Sequence, residues 1–261
     1  HGNSIIEVLN CNSKLVTVSL DKTARIVTQT GIKFGKPLKF NHKPTAGSAA
    51  FGRFAVACLN RVKLFTARDH LDTIYSNSCV HQISLGQNDI MFSNDQNEVE
   101  IFDLEKQKQT IFHQFPNVIE KLVQEGPIFY CADSKSGLYA CDRRSGIVHE
   151  IAKPSFGRSS SLNFIDKCLA LTTESGWVKT FDFRVNSFVI AHETNMEIIN
   201  AIPFYNKSLI LLNNNLNVFN IDDLLLTTHL IDRGTIRSAC VISDKLYTGG
   251  FDGYLKCFNL D

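Results

Sequence analysis

Seven positions in this chain recur almost evenly. Val27, Phe65, Phe102, Cys141, Phe181, Phe219 and Phe258 follow one another at intervals of 38, 37, 39, 40, 38 and 39 residues. Each closes a run of alternating apolar positions. Each is also followed by a small polar residue: Thr28, Thr66, Asp103, Asp142, Asp182, Asn220 and Asn259. This period constrains the fold more tightly than composition does. A unit this short cannot bury its own apolar face, so neighbouring units must stack and share a core.

Within each unit the pattern is strand, tight turn, strand. Val16 and Val18, then Ala24 and Ile26, mark two half-buried strands of the first unit, with a weaker strand at 37–40. The second unit reads 53–58, a very short turn at Asn60, then 62–65. The third pairs 89–92 with 99–103, and the fourth pairs 127–132 with 138–142 and adds an outer strand at 147–151. The fifth pairs 168–172 with 177–182, and the sixth pairs 208–212 with 216–220 across asparagines. The seventh spans 247–259 around Asp252-Gly253. Helix is confined to single turns expected at 104–110 and 222–226. No proline- or glycine-rich linker divides the chain, so one domain of seven units is expected, with approximate bounds 1–40, 41–76, 77–112, 113–151, 152–190, 191–230 and 231–261.

The first and last units carry a resemblance. The Asp21-Lys22 and Asp252-Gly253 turns, each leading into a strand closed by an apolar-polar pair, resemble the central hairpin of a WD40 repeat. The resemblance implies an all-β fold, a seven-bladed WD40-like β-propeller. It also implies a structural hydrogen-bonded set of His1, Ser19 and Asp21, with Val27 where the family has Trp. In the last unit Asp252 takes the turn, Phe258 stands for Trp, and Asp232 falls at the place of the His. In the middle units that turn place is held by Leu59, Gln96, Lys135, Ser175 and Asn213, so those hairpins must be fixed by other means. The last unit ends after its third strand, which leaves three expectations: a three-stranded last blade, a strand from upstream residues, or a strand donated by a partner. The chain does not open on Met, which suggests a processed chain or an excised domain.

Charge narrows the function classes. With 27 basic and 26 acidic side chains the net charge is +1, which argues against nucleic acid or an anionic membrane surface as partner. No apolar run reaches the roughly 18–20 residues that span a bilayer. None of the eight cysteines forms a Cys-x-x-Cys pair, which argues against a metal site. Six of them (Cys58, Cys131, Cys141, Cys168, Cys240 and Cys257) sit in apolar runs. They read as reduced core thiols of a cytoplasmic or nuclear protein. No phosphate-cradling loop, nucleophile elbow or zinc-protease motif occurs, and no cofactor is implied. His1, Ser19 and Asp21 fit the turn set better than a hydrolytic triad.

Arg25, Arg61, Arg233 and Arg237 follow turns or flank an inner strand, where propeller loops converge. Such arginines suit an acidic or phosphorylated peptide; as solvated surface charge they would do nothing specific. Trp177 is either an interface anchor or a packed residue. The expected role is a non-catalytic protein–protein interaction scaffold within a multiprotein assembly. The alternative is the substrate-recognition domain of a ubiquitin ligase, which would bind phosphopeptides.

Overall fold

A computed structural model of the protein describes residues 1–28, 33–153, 157–205, 208–229 and 235–259. The first sheet holds β1 (Ile5–Cys11), β2 (Lys14–Ser19) and β3 (Thr23–Thr28), with two short outer strands, β4 (Lys33–Phe34) and β5 (Leu38–Lys39), both bonded to β3. The second holds β6 (Ala46–Ala50), β7 (Arg53–Cys58), β8 (Arg61–Thr66) and β9 (His70–Tyr75). The third holds β10 (Val80–Leu85), β11 (Asp89–Asn94), β12 (Glu98–Asp103) and β13 (Lys108–Gln114). The fourth comprises β14 (Ile119–Glu125), β15 (Ile128–Asp133), β16 (Leu138–Asp142) and β17 (Val148–Ala152). The fifth comprises β18 (Ser159–Ile165), β19 (Cys168–Thr173), β20 (Trp177–Asp182) and β21 (Ser187–Glu193). The sixth comprises β22 (Asn200–Phe204), β23 (Ser208–Leu212), β24 (Leu216–Asn220) and β25 (Leu226–His229). The seventh has three strands, β26 (Ile236–Ile242), β27 (Lys245–Gly250) and β28 (Leu255–Asn259).

Strands pair with their sequence neighbours in every sheet, so each sheet is one blade, and the chain is an all-β seven-bladed β-propeller whose last blade has three strands. The seven-bladed all-β expectation is met, and of the three expectations for the last blade the three-stranded one is seen. The single helical turns expected at 104–110 and 222–226 are not helical. Asp103 accepts the backbone N–H groups of Glu105 (3.0 Å) and Lys106 (2.9 Å), and Asn220 accepts those of Asp222 (2.8 Å) and Asp223 (3.2 Å). Side-chain capping of this kind closes a tight turn and sends the chain straight back as a strand.

Contacts divide the chain into two compact units, His1–Ile119 with Arg237–Asp261, and Glu120–Ile236. In the first, Phe54, Val56, Phe65, Val16 and Val18 share a core between blades 1 and 2, and Ala55, Val62, Phe92 and Ile90 share one between blades 2 and 3. In the second, Tyr130, Leu138, Leu169 and Phe181 join blades 4 and 5, and Leu209, Leu211, Ala170 and Val178 join blades 5 and 6. Covered on both faces, the second strands β7, β11, β19 and β23 are buried almost throughout, which explains their unbroken apolar runs. The outer strands β13 and β21 are mostly exposed. All eight cysteines are free thiols. Cys257 departs from the core-thiol expectation: it points outward from β28 and is exposed.

The hairpin turns are fixed in two registers. In blades 1, 6 and 7 the residue at the turn accepts the N–H two residues on: Asp21 from Thr23 (2.9 Å), Asn213 from Asn215 (2.6 Å), Asp252 from Tyr254 (3.0 Å). In blades 3, 4 and 5 the acceptor stands two positions earlier, at the end of the second strand. Asn94 holds Gln96 (2.9 Å), Asp133 holds Lys135 (2.9 Å) and Gly137 (2.7 Å), and Thr173 holds Trp177 (3.2 Å). In the repeat these three occupy the place of Ser19, which itself accepts the Asp21 N–H at 3.1 Å. A polar side chain on the returning strand often bonds the same residue: the Asn94 amide donates to the Glu100 carboxylate at 2.7 Å, the Tyr139 hydroxyl donates to Asp133 at 3.2 Å, and Lys256 pairs with Asp252 at 3.1 Å.

In blades 2 to 6 the next turn is held by the polar residue that follows the repeat position. Besides Asp103 and Asn220, Asp142 accepts from Arg144 N–H (2.8 Å), Asp182 from Arg184 N–H (2.8 Å), and Thr66 Oγ1 from Arg68 (3.2 Å) and Asp69 (3.0 Å). The Arg184 guanidinium also closes on both Asp182 oxygens. The side-chain and backbone bonds from Arg184 hold the Asp182 carboxyl down at about 2. An unfolded Asp titrates near ~3.9. A carboxyl whose pKa falls on folding adds stability that is fully present above the unfolded value and is lost as pH drops through the folded one. Stability should therefore decline between about pH 4 and 2. Asp182→Asn should flatten part of that decline in urea midpoints measured against pH; an unchanged profile would remove Asp182 from the account.

Candidate functional site

The segment before β1 ties together the turns of blades 1 and 7. His1 Nδ1 lies 3.0 Å from Asp21 Oδ2 and 3.1 Å from Thr23 Oγ1, and His1 Nε2 lies 2.8 Å from Thr17 Oγ1. The Gly2 N–H donates to Asp21 Oδ2 at 3.0 Å, and the Ser19 hydroxyl donates to the Asn3 carbonyl at 3.0 Å. Burial raises the Asp21 carboxyl, but hydrogen bonds from Thr23, Gly2 and Ser19 outweigh it and hold the group below its usual range. His1, Ser19 and Asp21 thus lie in one network, with Thr17 rather than Ser19 on the far ring nitrogen. An Asp-His-Thr chain has the outline of a nucleophile relay. Here the Thr17 side chain is fully buried and also bonds the Arg25 carbonyl at 3.4 Å, so its hydroxyl ties β2 to β3.

The same segment clamps the blade 7 hairpin. The His1 backbone nitrogen donates to the Gly253 carbonyl at 3.1 Å, and the Ser4 hydroxyl donates to the Phe251 carbonyl at 3.3 Å. Gly253 sits at φ 74°, and a Cβ there would meet the Asn3 and His1 carbonyl oxygens at 2.7 and 2.9 Å. Only glycine fits both the conformation and the space. Held this way, the turn presents two aromatic side chains to solvent, Phe251 at 55% and Tyr254 at 70% exposure. The Arg237 guanidinium lies 5.5 Å from the Phe251 ring centre, in cation–π range.

Blade 2 repeats the theme on its own turn. The Arg61 guanidinium lies 5.4 Å from the ring of Tyr75, and Leu59 and Tyr75 are exposed beside it. The backbone there is pinned by Ser76 N–H to the Asn60 carbonyl (2.9 Å) and Val80 N–H to the Leu59 carbonyl (2.8 Å). Arg25, Arg61 and Arg237 therefore stand in three different blades. Arg25 is half-buried within β3, opposite Thr17, rather than at a turn tip. Arg233 and Asp232 lie outside the described residues. Trp177 opens β20 half-buried, opposite Glu193. Asp252 serves the blade 7 turn. The exposed aromatics Phe251, Tyr254 and Tyr75 did not stand out in the sequence as surface groups. For Phe251 and Tyr254 the signal was an aromatic on each side of an Asp-Gly turn tip, where the chain reverses in solvent; Tyr75, at the end of β9, carried no such signal. Among the described residues, no group of three or more His, Cys, Asp or Glu side chains is placed to hold a metal ion.

No known family's sequence profile matches the chain. No curated protein matches it either. Among solved structures it is similar to the computationally designed Ika8 protein, with a TM-score of 0.76 and 11% identity over 99% of this chain and 97% of that one. At that identity the likeness concerns the fold alone. The class defined by fold and sheet order is a seven-bladed β-propeller.

Proposed function

We propose that this chain is a divergent WD40-type propeller acting as a non-catalytic interaction scaffold, with its main contact surface on the blade 7 turn. The observation that carries this reading is the pair Phe251 and Tyr254, exposed on a turn that His1 and Ser4 of another segment hold in place. Aromatic and arginine side chains on a preorganised surface lose little conformational entropy on binding and dominate contact energies. A protein partner fits this surface better than a small molecule, because the turn is convex. The reading extends to the outer edge of β28, where a strand from a partner would pair. The phosphopeptide alternative gains less support: Arg61 and Arg237 already lie over rings, and Arg25 is half-buried.

The test is a paired affinity capture from the native cell extract with quantitative mass spectrometry. The double variant Phe251→Ala/Tyr254→Ala should lose its specifically retained proteins by about thirtyfold, as expected for hot spots worth about 2 kcal/mol or more. Its thermal midpoint should fall by no more than about 2–4 °C. Equal retention by the variant and the parent protein would remove this turn as the contact surface.

A further inference from the structure

The turn from third to fourth strand repeats a charge arrangement that blade 2 breaks. In blade 5 the carboxylate of Asp182 caps the turn and also takes the guanidinium of Arg184, two residues on. Blade 3 does the same with Asp103 and Lys106, at 3.0 Å. In blade 2 the capping residue is Thr66, and the residue two on is again an arginine, Arg68. Thr66 reproduces the cap, accepting two backbone N–H groups, but it carries no charge. Arg68 therefore keeps its place without the carboxylate that neutralises its counterpart in blade 5. Moreover, a hydroxyl with both acceptor sites used still has its O–H to donate. Where blade 5 puts an acceptor, blade 2 puts a donor.

This turn borders a cavity of about 200 Å³ between blades 1 and 2, lined by Cys11, Asn12, Lys14, Gly52, Thr66 and Arg68 among others. Two lining residues are cations and none is a carboxylate. Neither Lys14 nor Arg68 forms an ion pair among the described residues. Asp69, next in the chain, turns its backbone carbonyl to the Thr66 N–H at 2.9 Å and does not line the cavity. Gly52, at φ 72°, lets the Asn12 amide close over the floor: a Cβ there would meet Asn12 Nδ2 at 2.6 Å. The space is smaller than the roughly 300–1,000 Å³ that encloses a drug-sized ligand. It suits one small charged group.

The matching groove between blades 4 and 5 shows the contrast. It is lined by Glu125, Tyr130, Asp166, Lys167, Phe183 and Arg184, where acidic and basic side chains balance and Arg184 is already engaged. Of these two grooves, the one between blades 1 and 2 is lined by cations without a carboxylate.

We propose that this groove binds a phosphate group, with the Arg68 fork and the Lys14 ammonium taking its oxygens and the Thr66 hydroxyl donating to one of them. A guanidinium fork matches two phosphate oxygens, and an adjacent ammonium supplies a point charge, so the pair favours a tetrahedral dianion over a single carboxylate. The site lies on turns other than those carrying Phe251 and Tyr254, so it stands whether or not that surface binds a partner.

The experiment is a titration of the whole chain with inorganic phosphate and, separately, with O-phosphoserine, followed by amide NMR shifts and calorimetry. Saturable binding with shifts at Lys14 and at residues 66–69 is expected, weakened at least tenfold by Arg68→Ala or Lys14→Ala. Thr66→Asp restores the internal carboxylate and should abolish binding. Tighter binding of O-phosphoserine would assign the site to phosphorylated side chains; equal binding would assign it to phosphate itself. Absence of saturable binding, or binding unchanged in Arg68→Ala, overturns the proposal. Arg68 is an exposed side chain, so that variant keeps the test valid should Thr66→Asp fail to fold.

Discussion

Phe54→Ala should cost about 3–5 kcal/mol of stability, the usual toll of removing a fully buried aromatic. Phe54 has no exposure and stacks on Phe65 with ring centres 5.1 Å apart, while Phe65 meets Phe40 edge-on at 6.2 Å. These rings belong to a core shared by blades 1 and 2, with Val16 and Val18 on one side and Val56 on the other. The strands around the hole are bonded on both edges and cannot collapse into it, so the cost should fall toward the upper end. Urea denaturation followed by circular dichroism measures it. Phe251→Ala is the matched control: the same atoms are removed from an exposed turn, where only the contact with Arg237 is lost. That change should cost no more than about 1 kcal/mol. Equal losses for the two variants would mean that burial is not what holds blades 1 and 2 together.

The same contrast explains which parts of the fold could be read in advance. Second strands such as β19 and β23 are covered on both faces, so their apolar runs are continuous and easily seen. First and fourth strands carry no such signature. β6 is Ala-Gly-Ser-Ala-Ala, small because another strand packs closely on it, and β13 is largely exposed and polar. Their place follows from sheet pairing, which short polar sequences do not encode alone. The turn network was half legible. Asp21 and Asp252 stand where the repeat has its turn acid, whereas Asn94, Asp133 and Thr173 do the same work from two residues earlier. Their signal was a polar residue ending an apolar strand. Arg25 misled in the opposite direction, because closeness to a turn in sequence put it on a rim while strand register placed it opposite Thr17. The weakness of Thr66 as an acid substitute shows only when Arg68 and Arg184 are set side by side.

Asp133→Ala tests whether those displaced acceptors matter. The Asp133 carboxylate is fully buried and holds the N–H groups of Lys135 and Gly137 and the Tyr139 hydroxyl. Burial first, then the nearby Asp133 charge, pushes the Tyr139 phenol up from its ordinary value, so it stays a donor to this carboxylate across accessible pH. Removing the acceptor strands three donors in a site that water cannot refill without opening the hairpin. At about 1–3 kcal/mol for each buried group left unpaired, the total should reach about 3–5 kcal/mol once partial relaxation is allowed. Asp133→Asn is the discriminating partner. Its amide oxygen can still accept both backbone N–H groups, as Asn94 does for Gln96 and Glu98 in blade 3, at 2.9 and 3.2 Å. The bond to Tyr139 changes, and its loss should cost about 1 kcal/mol. A further variant, Asp133→Asn with Tyr139→Phe, should behave much like Asp133→Asn alone, because the one bond they share is already weakened. Hydrogen exchange at Lys135 and Gly137 gives the local readout: protection should vanish in the alanine variant and survive in the asparagine one. If both variants lose stability equally, the charge rather than the turn geometry is what blade 4 requires.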